Sequence, residues 1–155
     1  MDVTVTVEDQ KVPSVICDEI TDVNLTSDGT AKVDAIAFDD GTFDNCCLDK
    51  IEVARMESGC NTGTSFGPTV TFCCDDDNGS PVQVILRATD CSGNTNTCMV
   101  DVNVQDKLPP VLIHCPAPQD ITCDFFWEEL EVGLSLGDYS VLDQFGTAEF
   151  YDNCE

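Results

Sequence analysis

The strongest constraint on this chain is an alternating apolar strand that occurs in it twice. Residues 99–106 read Met-Val-Asp-Val-Asn-Val-Gln-Asp, so Val100, Val102 and Val104 lie on one face. A period of two is typical of a strand with one buried side. The same pattern stands 97 residues earlier in the chain, at Val3, Val5, Val7 and Asp9.

An internal repeat of this length predicts tandem domains. We expect residues 1–8 to be the last strand of a preceding repeat, 9–105 to be a complete domain, and 106–155 to be the first half of a following one. Turn signals divide the complete domain into about seven short strands without sustained helical periodicity. The predicted fold class is therefore all-β, a β-sandwich.

The alternating, turn-bounded pattern predicts strands at 14–17 and 30–38. Residues 125–130, Phe-Phe-Trp-Glu-Glu-Leu, are ambiguous between a strand and a short helical turn, and we assign them to strand or loop.

Eleven cysteines point to disulfides in an oxidising compartment. No Cys-x-x-Cys pair occurs and the only histidine is His114, so zinc and iron–sulfur sites lack their usual spacing. The complete domain holds an even number of cysteines, at 17, 46, 47, 60, 73, 74, 91 and 98. The following segment holds an odd number, at 115, 123 and 154.

The pairing is only partly constrained by sequence. Cys91 and Cys98 straddle a six-residue turn and are the favoured pair, with Cys17–Cys98 as the rival. Bridges among Cys46, Cys47, Cys60, Cys73 and Cys74 are also expected. Eight cysteines allow 105 pairings, and the sequence does not choose among them.

Charge excludes several classes of partner. The net charge is −24, from 30 acidic and 6 basic residues, so no basic surface is available for nucleic acid or anionic lipid. No apolar run approaches the ~20 residues of a membrane span, and residues 1–30 contain no signal-peptide core. We expect a piece of a longer extracellular, cell-surface protein, with no membrane insertion.

Several motifs occur in an order that matches a known family. The closing hairpin reads Ala-Thr-Asp-x-Ser-Gly-Asn at 88–94 and Cys-x-Val-x-Val-x-Val-x-Asp-x-x-Pro-Pro at 98–110. An opening half follows, with Pro-Val-Leu-Ile-x-Cys-Pro at 110–116, Asp-Ile-Thr-Cys at 120–123, Gly-Thr-Ala at 146–148 and Asp-Asn-Cys at 152–154. Together they resemble hyalin-repeat (HYR) domains, which recur in giant secreted surface adhesins of gliding and predatory bacteria.

The resemblance covers residues 1–26 and 82–155. Residues 27–81 depart from it through doubled cysteines at 46–47 and 73–74 and a long Gly/Ser/Thr loop. It implies tandem immunoglobulin-like Greek-key sandwiches that act as spacer or adhesive modules rather than catalysts.

In such a sandwich the N-terminal start, the B–C loop and the F–G loop share one end. Here these segments carry acidic side chains that are candidate Ca²⁺ ligands, at Asp9, Asp39, Asp40, Asp44 and Asp90. Asp75 and Asp77, in an acidic turn at the opposite end, are a second candidate set. The alternative is that these residues only form solvated turns, which Asp and Asn favour.

Three features imitate catalytic or ligand sites. His114 beside Cys115 lacks the free thiolate that a nucleophile needs, and a structural cysteine is the better interpretation. Glu128 and Glu129 would point to opposite faces of an extended strand, so they do not converge. The aromatic residues at 125–127 fit a core or domain junction better than a carbohydrate-stacking platform.

The combined prediction is a structural segment of a surface fibre or adhesin. Its partners would be neighbouring repeats of the same chain and, in a fibre, identical chains, with Ca²⁺ as the candidate cofactor. Such a segment would serve gliding motility or prey capture. The alternative is a carbohydrate- or protein-binding module attached to a secreted enzyme. Catalysis by the chain itself is not expected, since no nucleophile–base pair, phosphate loop or metal triad is present.

Overall fold

The structure, a computed structural model, describes residues 3–6 and 8–154. These residues form two compact units, one that runs to Leu108 and includes Cys154, and one that spans Pro109–Asn153. Strands make up most of the regular structure, so the prediction of a β-rich, disulfide-bonded chain is confirmed. The finer prediction of tandem immunoglobulin-like domains stays a prediction.

Six strands build the two sheets of the first unit. They are β1 (Ile20–Asn24), β2 (Thr30–Asp34), β3 (Leu48–Arg55), β4 (Thr69–Cys73), β5 (Val82–Asp90) and β6 (Thr95–Gln105). One sheet has the order β1-β6-β5-β3, and β2 pairs with β4 in the other. Neighbouring strands are antiparallel except β1 and β6, which run parallel from Ile20 opposite Asp101 to Asn24 opposite Gln105.

Buried side chains from both sheets form one hydrophobic core. The alternation of β6 is confirmed, since Val100 and Val102 are fully buried and Val104 is 5% exposed. The same cluster contains further side chains from the other five strands, namely Val23, Ala31, Val53, Val70, Phe72, Val84 and Leu86. Each such side chain contributes about 1.5–3 kcal/mol by leaving water. The apolar faces of the two sheets therefore stabilise each other.

The predicted strand at 30–38 ends four residues early. After Asp34 the chain forms a 3₁₀ turn, Ala35–Phe38. Positions three apart eclipse each other in a 3₁₀ turn, which puts Ala35 and Phe38 on one side. Both side chains are buried in the core. The apolar pattern therefore correctly predicted burial of Ala35 and Phe38, but the assignment of residues 35–38 to an extended strand was wrong.

Two predicted strands near the N-terminus also differ from expectation. In the predicted strand 14–17, only Ser14 and Cys17 make isolated bridges, to Phe43 and Asp39. For the predicted strand at 1–8, residues 1, 2 and 7 lie outside the described residues. Val3–Thr6 and Glu8 lie in no strand of the described sheets. The proposed origin of that segment in a preceding repeat stays a prediction.

The second unit combines a small sheet with short helices. β7 (Val111–His114) pairs antiparallel with β8 (Glu149–Tyr151). Between them lie a helical stretch, Cys123–Phe125, Phe126–Leu130 and Glu131–Ser135, and a 3₁₀ helix, Tyr139–Phe145. The strand or loop assignment for 125–130 was wrong. No helix among the described residues is long and apolar enough to cross a membrane.

A side-chain cap explains this helical start. The Thr122 hydroxyl accepts a hydrogen bond from the Phe125 backbone N–H, and the acidic Asp124 lies in the first turn. A threonine N-cap and an early carboxylate both stabilise a helix N-terminus. These local signals decided between the two structures that the apolar pattern left open.

A buried ion pair joins β3 to the turn after β4. Arg55 donates through Nη1 and Nη2 to the two carboxylate oxygens of Asp76, at 2.9 and 2.6 Å. It also donates to the Thr71 carbonyl, and Asp76 accepts from the Cys73 backbone N–H. Both side chains are less than a tenth exposed. Because each charge is fully partnered, the pair is stable in the core, whereas either partner alone would not be.

Replacing Arg55 with Met should lower the free energy of unfolding by about 3–5 kcal/mol, because Asp76 would be left buried without its cation. Urea denaturation measures this loss. The double variant Arg55→Met/Asp76→Leu should recover part of it, since no charge then remains buried.

Arg87→Met is the matched control. Arg87 pairs with Glu52 at 2.8 Å and lies 3.8 Å from the Phe66 ring centroid, but its side chain is 31% exposed. Such contacts contribute no more than about 2 kcal/mol together. Equal losses in the two single variants would contradict the assignment of a special role to the buried pair.

Candidate functional site

Four disulfides join eight of the eleven cysteines. They are Cys17–Cys98, Cys47–Cys91, Cys60–Cys73 and Cys74–Cys154. The favoured sequence-based pair, Cys91–Cys98, is wrong, and its rival Cys17–Cys98 is formed. Three cysteines carry no bridge and are exposed, namely Cys46, Cys115 and Cys123.

The strand register explains why Cys91 and Cys98 do not pair. On the hairpin of β5 and β6, Thr89 lies opposite Thr95 and Leu86 lies opposite Cys98. Cys98 is therefore well inside the ladder, while Cys91 lies in the turn beyond the end of β5. Cys91 instead meets Cys47, just before β3, and its backbone N–H donates to the Cys47 carbonyl. Spacing along the chain did not reveal this register.

The remaining two bridges have different reach. Cys60–Cys73 anchors the Gly/Ser/Thr-rich loop at 57–68 to the end of β4, as expected for a loop held by a bridge. Cys74–Cys154 joins residues 80 positions apart. Four bridges indicate an oxidising, secretory environment, since such bonds are rare in reducing compartments.

Three predicted calcium ligands come together in space. One carboxylate oxygen from each of Asp9, Asp44 and Asp90 lies within 4.8 Å of the others. We call this set the acidic triad. Its members come from the N-terminal segment, the loop before β3 and the end of β5, three segments that are distant in sequence. Their convergence is what the sequence analysis expected for these three residues.

The turn after β5 fixes Asp90 rigidly. Its Oδ1 accepts hydrogen bonds from the backbone N–H groups of Ser92 and Asn94, and its Oδ2 accepts from Asn94 Nδ2. Asp90 is 2% exposed. Burial raises the pKa of Asp90, but the Asn94, Ser92 and Gly93 hydrogen bonds outweigh burial and leave the pKa below its usual value of 3.8. Asp90 is therefore charged at neutral pH.

Asn94 also attaches the N-terminal segment to this turn. Its Nδ2 donates to the backbone carbonyl of Asp9 at 3.1 Å, and Asn96 Nδ2 donates to the Pro13 carbonyl at 2.9 Å. The Ser-Gly-Asn turn thus positions two triad members, Asp90 through the backbone and Asp9 through the Asn94 side chain. The sequence pattern predicts Asn94 as a turn residue but carries no signal for this second role.

Asp44 supplies the feature that most favours a cation. Its Oδ1 is buried and has no hydrogen-bond partner among the described residues. A buried carboxylate oxygen without a partner is unfavourable unless a positive group meets it. The other triad oxygens cannot supply one, because they are acceptors with the same charge. Carboxylate oxygens at this spacing are the donor set that Ca²⁺ takes, completed by carbonyl or water oxygens to six to eight ligands.

Cys46 lies beside the triad. A hydrogen bond to the Asp9 side chain, followed by burial and the Asp9 charge, raises the pKa of the Cys46 thiol above its usual value of 9.0. Asn45 Nδ2 donates to the Cys46 sulfur at 3.1 Å and opposes that shift. The Cys46 thiol is therefore protonated at neutral pH as long as no cation is bound at the acidic triad.

The other predicted calcium ligands lie outside the triad. Asp39 instead accepts hydrogen bonds from the backbone N–H groups of Gly41 and Thr42, and Asp40 is exposed. Asp75 is exposed, and Asp77 accepts from the Asp106 backbone N–H. The structure does not bring these four carboxylates into an acidic group among the described residues. In the acidic turn the middle residue, Asp76, is the buried one, and Arg55 neutralises it.

The remaining candidate residues are placed as follows. His114 and Cys115 are exposed, as are Glu128 and Glu129. Phe125 packs edge-on against Phe145, with ring centroids 5.9 Å apart. Phe126 and Trp127 are 38% and 60% exposed and also meet edge-on. The expectation of core packing thus fits Phe125 better than Trp127.

The sequence matches no protein-family profile, and no curated protein matches it. The class that the fold and site define is a β-rich, disulfide-bonded extracytoplasmic module with an acidic triad. The resemblance to hyalin repeats remains a prediction from its motifs.

Ca²⁺ should raise the melting temperature of the oxidised chain, and EGTA should reverse the rise. A ligand that binds only the folded state adds about 2.7 kcal/mol at a concentration 100 times its Kd. Asp44→Asn should abolish the calcium-dependent shift, because it removes one of three charged ligands. Thermal melts followed by circular dichroism measure both effects.

Asp40→Asn is the matched control, since it removes one charge from the same loop outside the triad. General screening of the −24 charge by Ca²⁺ would act on both variants alike. The triad assignment fails if wild type shows no shift, or if the Asp40 and Asp44 variants respond to Ca²⁺ equally.

Proposed function

We propose that this chain is a load-bearing segment of an extracellular repeat protein that extends from a cell surface as a fibre or adhesin. The observation that carries the proposal is the Cys17–Cys98 bridge, which spans a sequence separation of 81 and joins the segment before β1 to the last strand of the first unit, β6. The immunoglobulin-like architecture, the cell-surface location and the mechanical role are parts of the same proposal.

The bridge limits how far a stretched domain can extend. Force that enters before Cys17 and leaves after Cys98 passes through one covalent bond. Residues 18–97, which lie between them, then carry no tension. Buried strands β2 to β5 lie wholly inside this closed loop. A domain built this way keeps its length under load even if part of its core opens.

The parallel pair β1 and β6 supports the same role. β1 is the first strand of the unit and β6 the last, and they pair over Ile20–Asn24. If the Cys17–Cys98 bridge is reduced, tension on the two chain ends would pull these parallel strands in opposite directions along their own axes. All the hydrogen bonds between them would then be loaded together, whereas an antiparallel terminal hairpin would open one bond at a time.

The strand order favours an immunoglobulin-like sandwich. The pair β2 and β4 corresponds to strands B and E of that fold, and the order β6-β5-β3 corresponds to G, F and C. The terminal β1 beside β6 fits a first strand that pairs with G. This order, together with the hyalin-repeat motifs, is what supports the architectural part of the proposal.

Calcium at the acidic triad would serve this function. Asp9 belongs to the segment that leads into the unit, whereas Asp44 and Asp90 lie in its loops. An ion bound by all three would fix the entering chain to the folded unit. A chain with 30 acidic residues and only 6 basic ones also stays soluble and attracts cations outside cells.

The second candidate is a carbohydrate-binding module, and the exposed Trp127 is the observation that favours it. Tryptophan stacks on sugar rings through its apolar face. Trp127 is the only tryptophan in the chain, so its fluorescence reports on this position alone. A saturable fluorescence change with oligosaccharides would favour this candidate, and an unchanged spectrum would favour the spacer.

Force spectroscopy tests the spacer proposal, with handles attached at residues 8 and 107. We expect the oxidised chain to release almost no hidden length. The double variant Cys17→Ser/Cys98→Ser should release 37 residues, the 81 freed less the 44 still enclosed by Cys47–Cys91. This corresponds to roughly 130 Å of extended chain.

The variant Cys60→Ser/Cys73→Ser is the control, because its bridge lies inside the closed loop and carries no load between the handles. It should extend like wild type. The proposal is wrong if the oxidised wild-type chain unfolds at low force and lengthens as much as the Cys17 and Cys98 variant.

A further inference from the structure

Cys46 is an exposed thiol within a framework that pairs nearly every other cysteine of its domain. Of the eight cysteines at 17–98, six bond to each other, in the bridges Cys17–Cys98, Cys47–Cys91 and Cys60–Cys73. Cys74 bonds to Cys154. Cys46 alone is left over in that domain.

The sequence gives Cys46 a counterpart. Asp44-Asn45-Cys46 recurs as Asp152-Asn153-Cys154, and an aromatic residue precedes each motif, Phe43 in one and Tyr151 in the other. Cys154 is the cysteine that bonds to Cys74. The counterpart of Cys46 therefore already has a defined partner, at a defined position of a complete domain.

Backbone pairing supports this correspondence independently. Phe43 forms an antiparallel bridge with Ser14. Tyr151 pairs antiparallel with Val111, which lies 97 residues after Ser14, the spacing of the repeat. The residue before each Asp-Asn-Cys motif is thus held by the same repeat position. Cys46 and Cys154 therefore follow equivalent backbone pairings, an isolated bridge in one case and the end of β8 in the other, and correspond in structure as well as in sequence.

We propose that Cys46 forms a disulfide with Cys74 of a second copy of this domain, as Cys154 does with Cys74 here. Each domain then offers Cys74 as one half of a link and Cys46 as the other. Such a contact is head-to-tail, because it joins two different positions of identical domains, so it propagates along a row instead of closing a dimer. All eight cysteines of each domain within the row would be bridged.

The link forms by ordinary thiol–disulfide exchange, with a small-molecule disulfide such as oxidised glutathione as oxidant. The Cys46 thiolate attacks oxidised glutathione and releases one reduced glutathione. The Cys74 thiolate of the second copy then attacks the Cys46 sulfur and releases the other. The two protein thiols lose two electrons and two protons, and the glutathione disulfide accepts them.

The proposal does not rest on a mechanical function. It follows from the repeated motif, the shared backbone pairing and the Cys74–Cys154 bond, and a binding module in a tandem array would carry the same link. A failed force measurement would therefore leave it standing, and its own failure would leave the Cys17–Cys98 argument intact.

The test mixes two full-length chains, both with Cys115→Ser and Cys123→Ser to remove the other exposed thiols. The donor also carries Cys46→Ser and Cys154→Ser, which free its Cys74. The acceptor keeps Cys46 and its closed Cys74–Cys154 bridge. In a buffer of oxidised and reduced glutathione we expect a disulfide-linked heterodimer on a non-reducing gel. An acceptor with Cys46→Ser should lose this species.

Peptide mapping locates the bond. Trypsin cleaves after Lys32, Lys50, Arg55 and Arg87, so Cys46 and Cys74 fall in the peptides 33–50 and 56–87. None of the four bridges within the chain joins these two peptides. A cross-link between them in the isolated dimer band identifies the proposed bond.

A second measurement covers the case in which the donor does not fold, judged by circular dichroism and the mass of its three internal bridges. Concentrated wild-type chain in the same buffer should yield the 33–50 to 56–87 cross-link by exchange at Cys74–Cys154. The proposal is overturned if a folded donor and acceptor stay monomeric while both thiols react with iodoacetamide. It is equally overturned if the bond maps to Cys46–Cys46, or if neither experiment yields the cross-link.

Discussion

The first unit depends on holding its two ends together. Its core is built largely from valine and alanine, with Phe38 and Phe72 as the only large aromatic side chains that are fully buried among the described residues. Such a core leaves a modest margin over the conformational entropy that folding removes. Cys17–Cys98 compensates by restricting the unfolded chain, an effect that grows with the length of the closed loop. The parallel pairing of β1 with β6 lies beside this bridge and uses the proximity that it enforces.

Electrostatics gives the same unit a second constraint. With 30 acidic and 6 basic residues, most carboxylates have no cation to pair with. The two arginines pair with carboxylates that have little access to water: Arg55 neutralises the buried Asp76, and Arg87 pairs with Glu52. The acidic triad differs, since only neutral donors, namely amide and backbone N–H groups and the Cys46 thiol, meet its oxygens, and Asp44 Oδ1 meets none among the described residues. The distribution of cations thus separates a structural acidic site from one suited to an external ion.

Sequence reasoning succeeded where the determinant is local. Alternation along β6 predicted this strand and its buried face, because period-two burial follows directly from the residue order. The carboxylates of Asp9, Asp44 and Asp90 also lie together as expected, and their binding of Ca²⁺ stays a prediction. What failed depends on register or on tertiary partners. Cys91 and Cys98 are close in sequence but separated by five positions of the ladder, since Cys98 faces Leu86.

Two further features had no usable sequence signal. The pairing of Arg55 with Asp76 spans 21 positions, and nothing in either segment specifies the other. The hydrogen bond from Asn94 to the Asp9 carbonyl joins residues 85 positions apart, and no sequence signal indicates it either. In contrast, the helical start at Cys123 could have been predicted, because Thr122 and Asp124 are ordinary N-terminal helix signals. The strand or loop prediction for residues 125–130 followed the apolar pattern instead of these N-cap signals.

The order of the bridges along the chain has a consequence for biosynthesis. Cys60–Cys73 is nested inside Cys47–Cys91, which is nested inside Cys17–Cys98. The partner of each outer bridge emerges from the ribosome after the inner bridge is complete, and shorter loops close at a smaller entropic penalty. Oxidation can therefore proceed from the inside outward in the order of synthesis, without reshuffling. Cys74 breaks the nesting, since its partner Cys154 lies beyond all three loops, so its thiol must stay reduced until the next segment has been made.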